Sequence, residues 1–299
     1  MALTWKEPWH EQVVQKADYF VIAKVISSDP EKGVTATVIR TLGGNELTGN
    51  IKINDFYLLD ICSRSGGHGP EFHLDKADTC YFFLKQNTSG GYSIATPTTG
   101  FATVFGKKVR ATYRHSYHQA RVSQEVYEPT MTAIFRKYHN LDYDKIFVNN
   151  FLSRYLRLPP AKINEDQMET FFLQHAALET MYHLGLNNNY TLILPFLHDS
   201  KNFHLQISAA RALSGINTAD SKKHLIDLLS DKETENFPKT VAVWTLASYN
   251  PKELKDLLRK LASKASEEET GFGGNIMDPR ICTRIPSVKV ALTELSEQL

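Results

Sequence analysis

Two periods of apolar spacing divide the chain. In the second half, Ala177, Ala209 and Ala242 hold one position, Met181, Leu213 and Leu246 the position four later, and Leu184, Ile216 and Tyr249 the position three beyond that. The copies recur 32 and then 33 residues apart, and "SVKVALTEL" supplies a fourth through Val288, Leu292 and Leu295. Steps of four and three trace one stripe of an α-helix. Between these segments lie "LILPFLHD", "HLIDLLSD" and "ELKDLLRKL", in which Ile193 and Leu197, Leu225 and Leu229, and Leu254 and Leu258 stand four apart. Each unit is therefore predicted to be a helix pair.

The small residues Ser208, Ala209, Ala210 and Ala212 let neighbouring first helices approach closely, while Leu213 and Ile216 fill the seam. Met181 and Trp244 read as core or seam residues. Local chemistry suggests the boundaries. Gly185 reads as a C-cap, and Pro195 is tolerated if its helix starts near Leu192. "NPKE" offers Asn250 as N-cap, Pro251 at the first helical position and Glu253 at the third, a capping box. One pair of about 30 residues cannot bury its own apolar face, so three or more are expected to stack side by side.

In the first half the period falls to two. Along "DYFVIAKVIS", Tyr19, Val21, Ala23 and Val25 face one way and Phe20, Ile22 and Ile26 the other, a strand covered on both sides. "GVTATVIRTL", "NIKINDFYLL", "TCYFFLKQ", "GYSIATP" and "TVFGKKVRAT" follow, separated by turns such as "LGGN", "SGGHGP" and "TSGG". About six short strands of this kind predict a small antiparallel barrel. A preceding helix carries Trp5, Trp9 and Val13. A following one, over residues 122–139, carries Val126, Met131, Ile134 and Phe135.

The Ala-rich first helix followed by a second helix ending "FLHD" or "LLSD" resembles the HEAT-repeat family over roughly residues 164–299, and "KASEEETGFGGNIMDPRICTRIPS", residues 264–287, interrupts the last unit. The order "ADYFVIAKV", "TVIRTLGG", "TCYFFLK" and a closing helix resembles the netrin-like (NTR) relatives of the OB barrel. The resemblances imply an α+β chain of two domains: an OB/NTR-like barrel with flanking helices over 1–140 and an α-α superhelical HEAT-like solenoid over 141–299. NTR members are mostly exported, so the resemblance implies an extracytoplasmic or cell-envelope location, with "MALTWKEPWH" restarting a mature segment after a leader. The cytoplasm is the alternative. The family's metalloproteinase inhibitors insert an N-terminal cysteine into a zinc site, an activity that does not carry over because no cysteine precedes Cys62.

Composition narrows the function classes. The 299 residues are 42% hydrophobic and 22% charged, an ordinary globular balance. The net charge of +1 provides no global field toward nucleic acid or an anionic membrane, and no apolar run is long enough to span a bilayer. Three cysteines are too few for a disulfide framework, although Cys62 and Cys80 could form one bridge, with free thiols as the alternative.

Three stretches carry candidate chemistry. "GGHGPEFH" gathers His68, Glu71 and His73, and "RHSYH" adds His115 and His118. These are metal-ligand types without the helical H-E-x-x-H spacing, and the plainer reading is solvated loop histidines. Residues 79–124 lack Asp and Glu but include Lys85, Lys107, Lys108, Arg110, Arg114 and Arg121, with Tyr113 and Tyr117 interleaved. That mixture suits a single-stranded nucleic-acid groove or, more simply, a solvated strand edge, and no nucleic acid is expected. "TGFGGN" lacks the Lys-Ser/Thr of a phosphate loop.

With no catalytic set or cofactor motif legible, the expectation is a non-catalytic scaffold that binds a protein partner through its second helices. His198, His224, Asp227, Lys255 and Arg259 flank their apolar stripes as contact residues. The rival expectations are a metal-dependent enzyme using the barrel histidines and an OB-type oligonucleotide-binding protein.

Overall fold

A computed structural model describes residues 8–29, 32–54, 74–88, 90–94, 100–115, 118–188, 190–269 and 285–299. The chain is α+β and divides into two compact units between Val148 and Asn149.

The first unit opens with α1 (His10–Lys16), followed by β1 (Tyr19–Asp29), β2 (Gly33–Gly43), β3 (Asn50–Ile53), β4 (Thr79–Gln86) and β5 (Tyr92–Ser93). The strand order β1-β2-β3-β5-β4, with β4 returning to β1, closes a five-stranded barrel. The junction places Val21 opposite Phe82 and Ala23 opposite Cys80. Val21, Ala23, Val25, Val34, Ala36, Ile51, Ile53, Phe82 and Leu84 fill the interior.

Beyond β4 the sheet continues through β6 (Phe101–Phe105), β7 (Lys108–Thr112) and β8 (Gln119–Ser123), and α2 (Gln124–Tyr138) packs on β2, β7 and β8. The outward side chains of β1 and β4 lie in a second aromatic layer. Phe20 stacks on Phe83 with ring centroids 4.6 Å apart and also meets Tyr81, Tyr127 and Phe135. Strand β1 is thus buried on both faces, but only as far as Ala23, since Lys24 is exposed. Its last β4 partner is Thr79, opposite Lys24, and Ile26 beyond it is exposed.

Two boundaries differ from the expected ones. "TVFGKKVRAT" is a hairpin rather than one strand: Gly106 at φ +61° and Lys107 form a two-residue turn between paired Phe105 and Lys108. "QARVS" forms an eighth strand because Ala120 and Val122 alternate inward around exposed Arg121, which delays the helix to Gln124. In α2 the aromatic Tyr127 is buried along with Met131, Ile134 and Phe135, and Val126 is half-buried.

Helix α3 (Lys145–Leu156) runs across the division. The second unit continues with α4 (Met168–Leu184), α5 (Leu194–Leu197), α6 (Phe203–Ala212), α7 (Ala219–Ser230), α8 (Asn236–Ser248), α9 (Lys255–Ala262) and α10 (Val288–Gln298). Helix α4 packs on α6, α6 on α8 and α8 on α10, while α5, α7 and α9 lie against α6, α8 and α10 in turn. Ala177, Ala209, Ala242, Met181, Leu213 and Leu246 are completely buried at these junctions. Tyr249, at the third stripe position, also donates its hydroxyl to the Leu213 carbonyl at 2.5 Å.

Polar side chains repeat with the same spacing. Gln174 donates through Nε2 to the Pro159 carbonyl and accepts from the Ala161 amide. Gln206, one repeat on, donates to the Leu197 carbonyl. Each ties the connection before its helix to the helix itself. Gly185 ends α4 at φ +63°, and Pro195 lies in the first turn of α5. The capping box at Asn250 does not form. Asn250 takes a left-handed conformation at φ +48° and donates its N–H to Ala247, ending α8 instead of starting the next helix. A 3₁₀ turn at Lys252–Leu254 then leads into α9. The capping box that does form is Thr218 with Ser221 at the start of α7.

Candidate functional site

The second helices bring two of the five expected contact residues together. His198, just past α5, is exposed, and His224 on α7 is half-buried. His198 Nε2 stands 3.0 Å from His224 Nδ1, and the rings meet edge to face at 5.1 Å. The other ring nitrogen of His224 lies 3.9 Å from Asp220, one turn earlier on α7. Tyr190 donates its hydroxyl to that same Asp220 carboxylate, which pushes the phenol's titration upward. Partial loss of solvent around the ring and the neighbouring His224 hold the His198 imidazole below its usual range, opposed by the charges of Asp227 and Asp231. Asp227 thus bears on the histidine pair electrostatically.

Lys255 and Arg259 stand apart on α9, Lys255 half-buried and Arg259 exposed with its guanidinium 3.6 Å from Asp256. A groove of about 390 Å³ lies between α7 and the start of α9, lined by Lys222, Lys223, Ile226, Glu253, Leu254 and Leu257 together with the 217–219 turn. Lys222 bridges it to Glu253 at 2.5 Å, which lowers the pKa of that carboxyl. Leu257 is 39% exposed there, a large apolar side chain on a helix otherwise polar outward. The sequence reading missed Asp220, Tyr190, Ile226 and Leu257. The only signal was that Ile226 and Leu257 each sit beside the buried stripe without belonging to it.

Inside the layers is a polar network that the sequence reading also missed. Glu179 on α4 accepts from Ser208 Oγ at 2.6 Å and from Arg211 Nε at 3.0 Å, both on α6, and His175 Nδ1 lies 3.0 Å from Ser208 Oγ. Because the serine proton goes to Glu179, the imidazole N–H is the donor to Ser208. The wiring therefore differs from a nucleophile–base–acid chain, and Ser208, His175 and Glu179 are all fully buried. Arg211 also lies over the Tyr182 ring, 3.8 Å from its centroid.

In the barrel unit, His115 and His118 are buried rather than solvated, because β7, β8 and the turn between them carry them inward. His115 packs edgewise on Trp9. His68, Glu71 and His73 lie outside the described residues. Among the described residues no group of three His, Cys, Asp or Glu side chains is placed to hold a metal. The basic tract does not form one exposed ribbon: Tyr113 and Arg114 are fully buried, and Tyr113 bonds Thr130 at 2.8 Å beneath α2. Tyr117 lies outside the described residues.

Cys80 is a buried free thiol in β4 whose pKa is pushed up to about 12 by burial and by Asp78. Its possible bridge partner Cys62 is outside the described residues, as are Cys282 and the "TGFGGN" stretch. No described helix is long and apolar enough to cross a membrane. Comparison of the chain with protein-family models, curated proteins and solved structures finds no match.

Proposed function

We propose that the chain is a non-catalytic interaction protein whose helical layers, read as HEAT-like, hold a protein partner on the face formed by α5, α7 and α9. The observation that carries this reading is the groove between α7 and α9. Half-buried Ile226 and Leu254 and exposed Leu257 form an apolar floor, and Lys222, Lys223 and Glu253 line it beside them. An apolar floor with a charged rim is the composition that partner sites use. The cations favour a segment that offers one or two large apolar side chains flanked by carboxylates. The five-stranded closure of the first unit supports the OB/NTR-type reading of the barrel, and with it an extracytoplasmic location.

The test is affinity capture from native extract, with captured proteins quantified against two variants. Lys255→Glu/Arg259→Glu and Leu257→Asp are each expected to lower recovery of the same protein by about tenfold, roughly 1.4 kcal/mol. Recovery unchanged in both variants would overturn the assignment of this face.

A further inference from the structure

The paired imidazoles of His198 and His224 have a use that does not depend on the partner reading. Their facing nitrogens are 3.0 Å apart. Two imidazoles bound cis on one ion at about 2.0–2.1 Å each hold their nitrogens about 2.9–3.4 Å apart. A hydrogen bond between the rings needs one proton on one of those nitrogens, and a metal ion can take that proton's place. We propose that His198 Nε2 and His224 Nδ1, brought face to face by the end of α5 and the middle of α7, form a two-histidine chelate for a late first-row divalent ion.

Three further observations support the assignment. His224 turns its outer nitrogen toward Asp220, and Tyr190 holds that carboxylate in place. A carboxylate on the far side of a ligating histidine favours the tautomer that carries its proton on the outer nitrogen, here leaving the Nδ1 lone pair for the ion. Next, Asp227 stands one turn beyond His224 on α7, which places a second carboxylate near the pair. Finally, His198 is exposed and opens the pair to solvent. No third donor among the described residues completes the set, so the two imidazoles leave the remaining positions open to water or a further donor. On binding, the proton shared by the pair moves to Nδ1 of His198, leaving both facing nitrogens as donors of electron pairs. Imidazole donors with open positions suit Cu²⁺, Ni²⁺ and Zn²⁺, with Cu²⁺ tightest.

The experiment is calorimetric titration of the full chain with ZnCl₂, NiCl₂ and CuCl₂ at pH 7.5, in a His68→Ala/His73→Ala background that removes the other histidine-rich segment. One saturable site is expected, tightest for Cu²⁺. Asp220→Asn should weaken it by about tenfold, and His198→Ala and His224→Ala by more. His198→Gln and His224→Gln provide polar replacements whose folding is checked by circular dichroism. Absence of a saturable site in the background protein, or equal affinity in the folded His198 and His224 variants, would overturn the assignment.

Discussion

Replacing Glu179 with alanine is the most demanding test of how the helical layers are held. Glu179 is fully buried, and the Arg211 side chain facing it from α6 is 8% exposed. Removing the carboxylate leaves a guanidinium charge and the Ser208 hydroxyl in a dry seam, at a cost of about 3–5 kcal/mol. The Tyr182 ring beneath Arg211 returns about 1–2 kcal/mol of cation–π attraction at most. With a urea m-value of roughly 2 kcal/mol/M, the unfolding midpoint of the second unit should fall by about 0.5–2 M. The assay is urea unfolding followed by the fluorescence of Trp244, on the neighbouring α8, with Trp5 and Trp9 replaced by Phe. Glu179→Leu/Arg211→Met removes both charges and should recover to within about 1 kcal/mol of the parent, or exceed it. A midpoint lowered by less than about 0.5 M in Glu179→Ala would refute the reasoning, since it would mean the arginine reaches water at little cost.

Other consequences are equally direct. With Cys62 and Cys282 changed to Ser, Cys80 should resist a thiol-specific disulfide reagent at pH 8 and react only on unfolding; rapid native labelling would contradict its burial. The folded thiol holds its proton more tightly than the unfolded one. Its contribution to stability is therefore complete below pH 9.0 and is lost as pH rises toward about 12, detectable as falling thermal stability across that window. Gly43→Ala should cost about 1–3 kcal/mol, because its Cβ would stand 2.4 Å from the Phe135 ring, and Phe135→Leu should restore part of the loss. Tyr249→Phe strips the Leu213 carbonyl of its donor and should cost about 1–3 kcal/mol by thermal unfolding.

The helices were legible because each first helix repeats its large apolar residues at matching places, and all of those places are buried. The network at Glu179 was legible in principle as well. Glu179 and Arg211 occupy the same position of successive copies, two residues after Ala177 and Ala209, so helices packed in register had to bring opposite charges together. The Asn250 cap was misread because Asn serves both ends of a helix, and only the backbone distinguishes φ +48° from an extended N-cap. The hairpin at Gly106 was hidden because Phe105, Val109 and Ala111 share one phase, which keeps strand alternation running through the turn. His198 and His224 come from segments 26 residues apart whose contact no local period encodes.

The first helices touch in chain order, α4 to α6 to α8 to α10. A force applied at the C-terminal residue therefore meets one junction at a time. Stretching a single molecule of the second unit should yield a staircase that starts at α10 and ends at α4. Partial lengthening under load, followed by re-stacking when the load is removed, is the mechanical behaviour that this order of contacts gives the protein.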